Sequence, residues 1–292
     1  MKNRTHCKLS YNVIFLLLFF SCATTTPFLN EEKETGITVI PAEHLVFIGL
    51  DGWGGKYLPK ANMPSVKQMI GNGSSSMDIT NVLPSVSWPN WTSLFRGTTP
   101  DKQTVDGFPS IFTIARNKNP GKNIALFYEW GELSKICSSK EAELFRIESN
   151  HESALKAAAY ITEKKPLFTA VVFDEPDHAG HTKNWGSKAY YEKLAELDGY
   201  IAIIRQAVID AGIYDKTVFV LASDHGGFFK GHHHNVSKNR KIPLVIYGKG
   251  IKKGYTISSP AGICDIAPTM ALILGLEIPS EWTGSALLEV FK

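Results

Sequence analysis

The segment His44-Leu-Val-Phe-Ile-Gly-Leu50, followed at once by Asp51-Gly52, decides the fold class. Its apolar residues run without alternation, which marks a strand buried on both faces, as in a parallel sheet covered by helices. Four more runs share that character: Asn123–Tyr128, Leu167–Phe173, Thr217–Leu221 and Pro243–Tyr247. Helical stretches lie between them. A short one has Pro64 in its first turn and Gly71 at its end, an Ala-rich one covers 151–164, and the last runs from Asp265 to Gly275. The longest, Ser187 to Ala211, sets Tyr190, Leu194, Leu197, Ile201, Ile204 and Val208 on one stripe, which is a core-facing helix side. The pattern predicts one α/β domain with a mostly parallel sheet.

A length of 292 residues allows one or two domains, and 43% apolar with 20% charged residues excludes a disordered, collagen-like or coiled-coil chain. Four Cys with no C-x-x-C pair exclude a disulfide scaffold and a zinc ribbon. Residues 1–21 carry Lys2, Arg4 and Lys8 with no acid, so their removal takes the net charge from +3 to zero. Nothing then argues for a nucleic-acid surface, and no duplex partner is expected. The same residues form a basic n-region ahead of the apolar run Val13–Phe20, too short to span a bilayer and flanked like a signal peptide. Ser21-Cys22 at its end resembles the lipobox of bacterial lipoproteins, with Cys22 as the lipidated first mature residue. The expected organisation is a signal peptide at 1–21, a tether at 22–43 and a catalytic domain at 44–292. The protein is then exported and membrane-anchored through lipid, on the periplasmic or cell-surface side. Cys137 and Cys264 could pair in an oxidising compartment, although two lone thiols more often do nothing.

Open α/β sheets bind ligands at the carboxyl ends of their strands. Three runs lead straight into metal-type side chains: Asp51-Gly52, Asp174-Glu-Pro-Asp177-His178-Ala-Gly180-His181, and Ser223-Asp224-His225-Gly226-Gly227. A fourth group, Gly231-His232-His233-His234, lies just before the run at 243. Each alone is weak evidence, since Asp-His can be a capped turn and His-His-His a solvated loop. Four at matching strand ends are hard to attribute to chance. Carboxylates mixed with imidazoles suit zinc, with manganese or magnesium less suited to the His-rich half. In Ser87-Trp-Pro89-Asn90-Trp91 the features are those of a helix start, with Ser87 as N-cap and Pro89 in the first turn. A hydroxyl there faces the positive end of a helix, which favours an alkoxide and a bound anion, although a plain capping Ser has the same signature.

The order of these pieces resembles the alkaline phosphatase superfamily, and within it the type I phosphodiesterase/nucleotide pyrophosphatase branch. The most specific parts are Pro176-Asp177-His-Ala-Gly180-His181 and Ser223-Asp224-His225-Gly226, and the resemblance covers roughly residues 44–292. It implies a three-layer α/β/α sandwich and two divalent metal ions, most simply zinc. Asp51, Asp224 and His225 would hold the ion that carries the nucleophile Ser87. Asp177, His181 and His232 would hold the second, with Asn90 donating to a phosphoryl oxygen. His233 or His234 could replace His232, because the usual Gly-His-Gly reads Gly231-His232-His233 here. His178 is expected beside the ligands rather than among them. The implied reaction is hydrolysis of a phosphodiester or nucleotide pyrophosphate through a phospho-seryl intermediate, on a small-molecule phosphate ester or nucleotide.

Three rivals stand beside that reading. A phosphomonoesterase shares the metals but needs more positive charge at the phosphoryl group. A sulfatase carries Cys/Ser-x-Pro-x-Arg, and the position of that Arg is Trp91 here. A surface ligand-binding lipoprotein would tolerate a damaged ligand set, which this chain does not have. Trp53, Trp88, Trp91 and Trp130 are either a stacking wall for a nucleobase or ordinary core and rim aromatics.

Overall fold

The computed structural model describes residues 39–103 and 108–292; the signal-peptide region, Cys22 and most of the tether lie outside the described residues. Eight strands form one sheet: β1 (His44–Leu50), β2 (Ser74–Thr80), β3 (Ile124–Tyr128), β4 (Glu143–Arg146), β5 (Phe168–Phe173), β6 (Thr217–Ala222), β7 (Lys241–Gly248) and β8 (Tyr255–Thr256). Their order in space is β4-β3-β5-β1-β6-β7-β2-β8. The pairs β4-β3, β3-β5, β5-β1, β1-β6 and β2-β8 are parallel, and only β7 runs against its neighbours. The helices are α1 (Pro64–Gly71), α2 (Ser87–Arg96), α3 (Ile111–Lys118), α4 (Asn150–Lys164), α5 (Asp177–Lys183), α6 (Lys188–Asp210), α7 (Ser237–Arg240) and α8 (Ile266–Ile273).

The three layers follow from the side chains of β1. Leu45 and Phe47 point into a core shared with α2, α3 and α8, while Val46, Ile48 and Leu50 point into a second core shared with α1, α4 and α6. A strand that must bury both faces has no polar position to spare, which is why its sequence shows no alternation. The predicted stripe of α6 is wholly buried, from Tyr190 to Val208. Asp198 stands among those apolar residues and its carboxylate accepts the Ser65 and Val66 N–H groups, both at 2.9 Å. A side chain from α6 thus caps α1, whose own N-cap, Met63, cannot.

All five expected strands are present. β2, β4 and β8 were not anticipated: β2 reads Ser-Ser-Ser-Met-Asp-Ile-Thr and is largely polar, and the other two are only four and two residues long. Cys137 and Cys264 are free thiols. Among the described residues no helix is long and apolar enough to cross a membrane.

Candidate active site

Parallel strands β5, β1 and β6 deliver their loops to one edge of the sheet, so Asp51, Asp177 and Asp224 arrive together. The antiparallel direction of β7 matters equally: it puts the loop that precedes it, with His232, at that same edge. His225 Nε2 stands 3.3 Å from Asp224 Oδ2, 3.5 Å from Asp51 Oδ1 and 3.1 Å from Ser87 Oγ. Alongside, His181 Nε2 lies 3.4 Å from Asp177 Oδ2 and 3.1 Å from His232 Nε2, with Asp177 Oδ1 3.9 Å from the latter. The His225 and His232 rings stack at 3.8 Å and join the two groups. Asp177 lies within reach of both, grouping with His181 and His232 on one side and with Asp51 and His225 on the other.

The outer atoms of these residues are fixed by the protein and the inner ones are left open. Nδ1–H of His225, His181 and His232 donates to the carbonyls of Gly226, Lys230 and Ser85 at 2.9, 2.8 and 2.8 Å. Each Nε2 therefore presents a lone pair inward. Asp51 Oδ2 accepts Trp91 Nε1–H at 3.0 Å and Asp224 Oδ1 accepts Gly52 N–H at 3.2 Å. Their other oxygens, Asp51 Oδ1 and Asp224 Oδ2, are buried without a hydrogen-bond partner, as is Asp177 Oδ1. Two imidazole lone pairs at 3.1 Å repel unless a positive charge sits between them. Ligand atoms about 2.05 Å from one tetrahedral ion stand about 3.3 Å apart, which is the spacing found here. The donor set thus fits divalent cations.

The electrostatics agree. Burial, then the Asp224 and Asp177 charges, push the Asp51 carboxyl well above the usual range. Burial and Asp224 take Asp177 to about 8, and burial takes Asp224 to about 6. Burial lowers His225 to about 3, and burial together with His225 lowers His232 to about 4. Carboxylates whose charge is disfavoured beside imidazoles that resist protonation fit a cluster whose charge divalent cations would balance.

Two residues make this crowding possible. Gly52 has φ +71°, and a Cβ there would lie 2.8 Å from the Asp177 backbone and 2.9 Å from its Oδ1. Its carbonyl accepts Trp185 Nε1–H and Tyr190 O–H, both at 2.9 Å. Gly180 makes room for Trp185, whose ring a Cβ would meet at 2.4 Å and whose edge supports His181. Gly52, Trp185 and the tie from Trp91 to Asp51 carry no chemical signature in the sequence. The signal for Gly52 was its place directly after a ligand at a strand end.

Two expectations need correction. Ser87 is the first residue of α2 rather than its cap; Val86 occupies the N-cap and no side chain caps the helix. The Ser87 hydroxyl is thereby freed to donate to His225 Nε2, and the first-turn N–H groups stay open to an anion. Asn90 does not face the site. It is fully buried, its amide donates to the Pro84 and Val86 carbonyls at 3.2 and 2.8 Å, and its oxygen accepts Val82 N–H at 2.9 Å. Both donors are spent on shaping the loop that leads to Ser87. His232 is the imidazole brought into the cluster, while His233, His234 and His178 are exposed outside it. Of the four tryptophans, Trp53 and Trp91 are core residues. Trp88 and Trp130 meet edge-on at 6.4 Å beside Ser87, Trp88 being 37% exposed.

A family profile described as type I phosphodiesterase / nucleotide pyrophosphatase matches residues 45–109 and 129–243. Among curated proteins, arylsulfatase K of Bos taurus is 30% identical over 181 residues, covering 53% of this chain and 33% of its own length. Arylsulfatase K of Xenopus laevis is 36% identical over 110 residues, 35% of this chain and 20% of its own. The chain thus spans a third or less of the length of these relatives. Among solved structures, murine ectonucleotide pyrophosphatase / phosphodiesterase 5, inactive and in complex with AMP, superposes with a TM-score of 0.71 at 13% identity, over 86% of this chain and 100% of that one. A lipoteichoic acid synthase from Listeria monocytogenes gives 0.68 at 15% identity over 88% and 80%. At such identities the likeness is one of fold, and the fold is that of alkaline phosphatase-like enzymes.

Proposed function

Because the chain belongs to the type I phosphodiesterase / nucleotide pyrophosphatase family, we propose that it hydrolyses phosphodiester or nucleotide pyrophosphate bonds through Ser87 with two divalent cations. One observation carries this reading: Ser87 Oγ, 3.1 Å from His225 Nε2, stands at the uncapped start of α2 beside carboxylate oxygens that lack partners. Asp51, Asp224 and His225 would hold one ion, and Asp177, His181 and His232 the other; the mixed oxygen and nitrogen donors suit zinc. Bound there, such ions supply Lewis acidity, lowering the pKa of the Ser87 hydroxyl and offsetting charge on the phosphoryl oxygens.

The protein's own residues supply the remainder. Ser87 Oγ, its proton passed to solvent water, attacks phosphorus in line; the bond to the leaving oxygen breaks and its electron pair departs with the leaving group. Water then attacks the phospho-seryl phosphorus from the opposite side, the Ser87 oxygen leaves and the hydroxyl is restored. First-turn N–H groups of α2 donate to the equatorial oxygens. Asn90 is a positioning residue, holding the Val82–Val86 loop.

The preference for diesters and anhydrides rests on charge. Arg96 lies at the far end of α2, where its guanidinium donates to the Lys135 carbonyl. Arg240 is engaged by Asn81 and Asn235. A phosphate monoester dianion would meet no arginine from either. Sulfate-ester hydrolysis is the second reading, favoured by the arylsulfatase relatives. Against it, Trp91 replaces the motif's arginine, and its indole N–H is committed to Asp51. The export signal and a lipid anchor at Cys22 stay in the proposal on sequence alone. A hydrolysis screen of the zinc-loaded protein tests the reaction: aryl phosphodiesters or nucleotide anhydrides should exceed the matching monoesters and sulfate esters in kcat/KM. A clear preference for either of the latter would overturn it.

A further inference from the structure

Next to His181 the chain turns back on itself: Phe228 N–H donates to the Gly231 carbonyl at 2.9 Å and Gly231 N–H to that of Phe228 at 3.2 Å. Phe229 and Lys230 make the turn, and Phe229 has φ +55°. Two-residue hairpin turns place Gly, Asn or Asp at positive φ, where a bulky side chain is disfavoured. Here the position holds a phenylalanine that is 67% exposed, beside Phe228 at 38%. The tip is firmly mounted. The Phe229 carbonyl accepts Trp185 N–H, the Lys230 carbonyl accepts His181 Nδ1–H and the Gly227 carbonyl accepts Tyr57 O–H, each at 2.8 Å.

Positive charge surrounds this apolar tip. Lys238 Nζ lies 3.5 Å over the Phe228 ring. Lys56, Lys60 and Lys238 line a cavity of about 450 Å³ whose wall includes both phenylalanines. None of the three is ion-paired with a described residue. Burial, then the Lys238 and Lys60 charges, lower the Lys56 pKa, as expected where like charges gather.

We infer that the Phe228-Phe229 tip is a membrane-docking element that seats on a bilayer surface containing anionic phospholipid. Aromatic rings enter the boundary between headgroups and acyl chains, and lysines flanking them reach the headgroup phosphates. An apolar protein groove would accept the rings and leave three ammonium groups unanswered; an anionic bilayer answers both. The inference stands on this surface and not on the phosphodiesterase reading.

The test is vesicle flotation of the mature chain, made without residues 1–21 and carrying Cys22→Ala, so that neither an acyl chain nor the basic and apolar signal segment contributes. Phosphatidylcholine vesicles are compared with vesicles containing phosphatidylglycerol. Binding should require phosphatidylglycerol and weaken with salt. Phe228→Ser with Phe229→Asn should lower the partition coefficient by about tenfold or more, with the thermal transition retained because Asn suits positive φ. Lys56→Gln or Lys238→Gln should each lower it by about fivefold. Equal partitioning of the parent and the double Phe variant would overturn the inference. So would binding that the lysines alone control and inorganic phosphate abolishes, which would mark a pocket for a soluble anion.

Discussion

Replacing Gly52 by Ala should separate the two halves of the site. The new Cβ would lie 2.8–2.9 Å from the Cα, Cβ and Oδ1 of Asp177, so Asp177 must retreat by more than half an ångström to reach ordinary contact. The backbone resists the alternative, because φ is +71° and an L residue in that region costs about 1–2 kcal/mol. For a domain of this size that lowers Tm by roughly 3–6 °C. Displacement of the Asp177 carboxylate acts on His181 and His232, whereas Asp51 and His225 keep supports that the substitution does not touch, from Trp91 and the Gly226 carbonyl. Loss of a residue that positions ligands typically lowers metal affinity by about 10–100-fold. Zinc titration by calorimetry, on protein first stripped by chelator, should therefore give one site near its original affinity and one weakened by that factor, with turnover falling in step. Two sites of unchanged affinity in Gly52→Ala would refute the view that this glycine sets the Asp51–Asp177 approach.

Asn90→Ala should lose activity and stability together, by about 1–3 kcal/mol in stability, because Val82 N–H and the Pro84 and Val86 carbonyls lose their partner. A hundredfold activity loss at unchanged Tm would instead restore Asn90 as a direct phosphoryl donor. His232→Ala should abolish one zinc site, while His233→Ala and His234→Ala leave both sites intact by metal analysis. The chelated protein should also lose stability as pH rises from about 6.5 to 8.5. Asp177, at about 8 in the folded state against an ordinary 3.8, binds its proton more tightly folded than unfolded, so its stabilising effect disappears as pH passes the folded value. His225 and His232 act oppositely, but only below their unfolded value of 6.5. Zinc should flatten the slope in melting curves without removing it, since burial and Asp174 also raise Glu129 to about 8.

Much of this architecture is legible in the sequence because parallel strands between helix layers cannot tolerate polar residues. β1, β3, β5, β6 and most of β7 announce themselves as apolar runs. β2 does not, because its Ser74-Ser-Ser76 start and Asp78 interrupt any apolar run, and pairing with β7 and β8 makes it a strand. The six metal-type residues are legible for a related reason: chemistry at strand ends concentrates acids and imidazoles where the apolar run stops. Residues acting through shape are silent. Trp91 reads equally well as a stacking surface or core, and only its contact with Asp51 distinguishes a ligand support from either. Asn90 misleads because the chemistry of an amide beside a nucleophile says nothing about which way it points.

A covalent phosphate on Ser87 is the intermediate that the proposed reaction cannot do without. Zinc-loaded protein would be mixed with an aryl phosphodiester, quenched in acid during turnover and digested, and the peptide containing Ser87 analysed by mass spectrometry. Phosphate should be found on Ser87, absent after chelation and absent in Asp51→Ala, with Ser87→Ala inactive. Turnover that persists in Ser87→Ala, or phosphate found on another residue, would contradict that reaction.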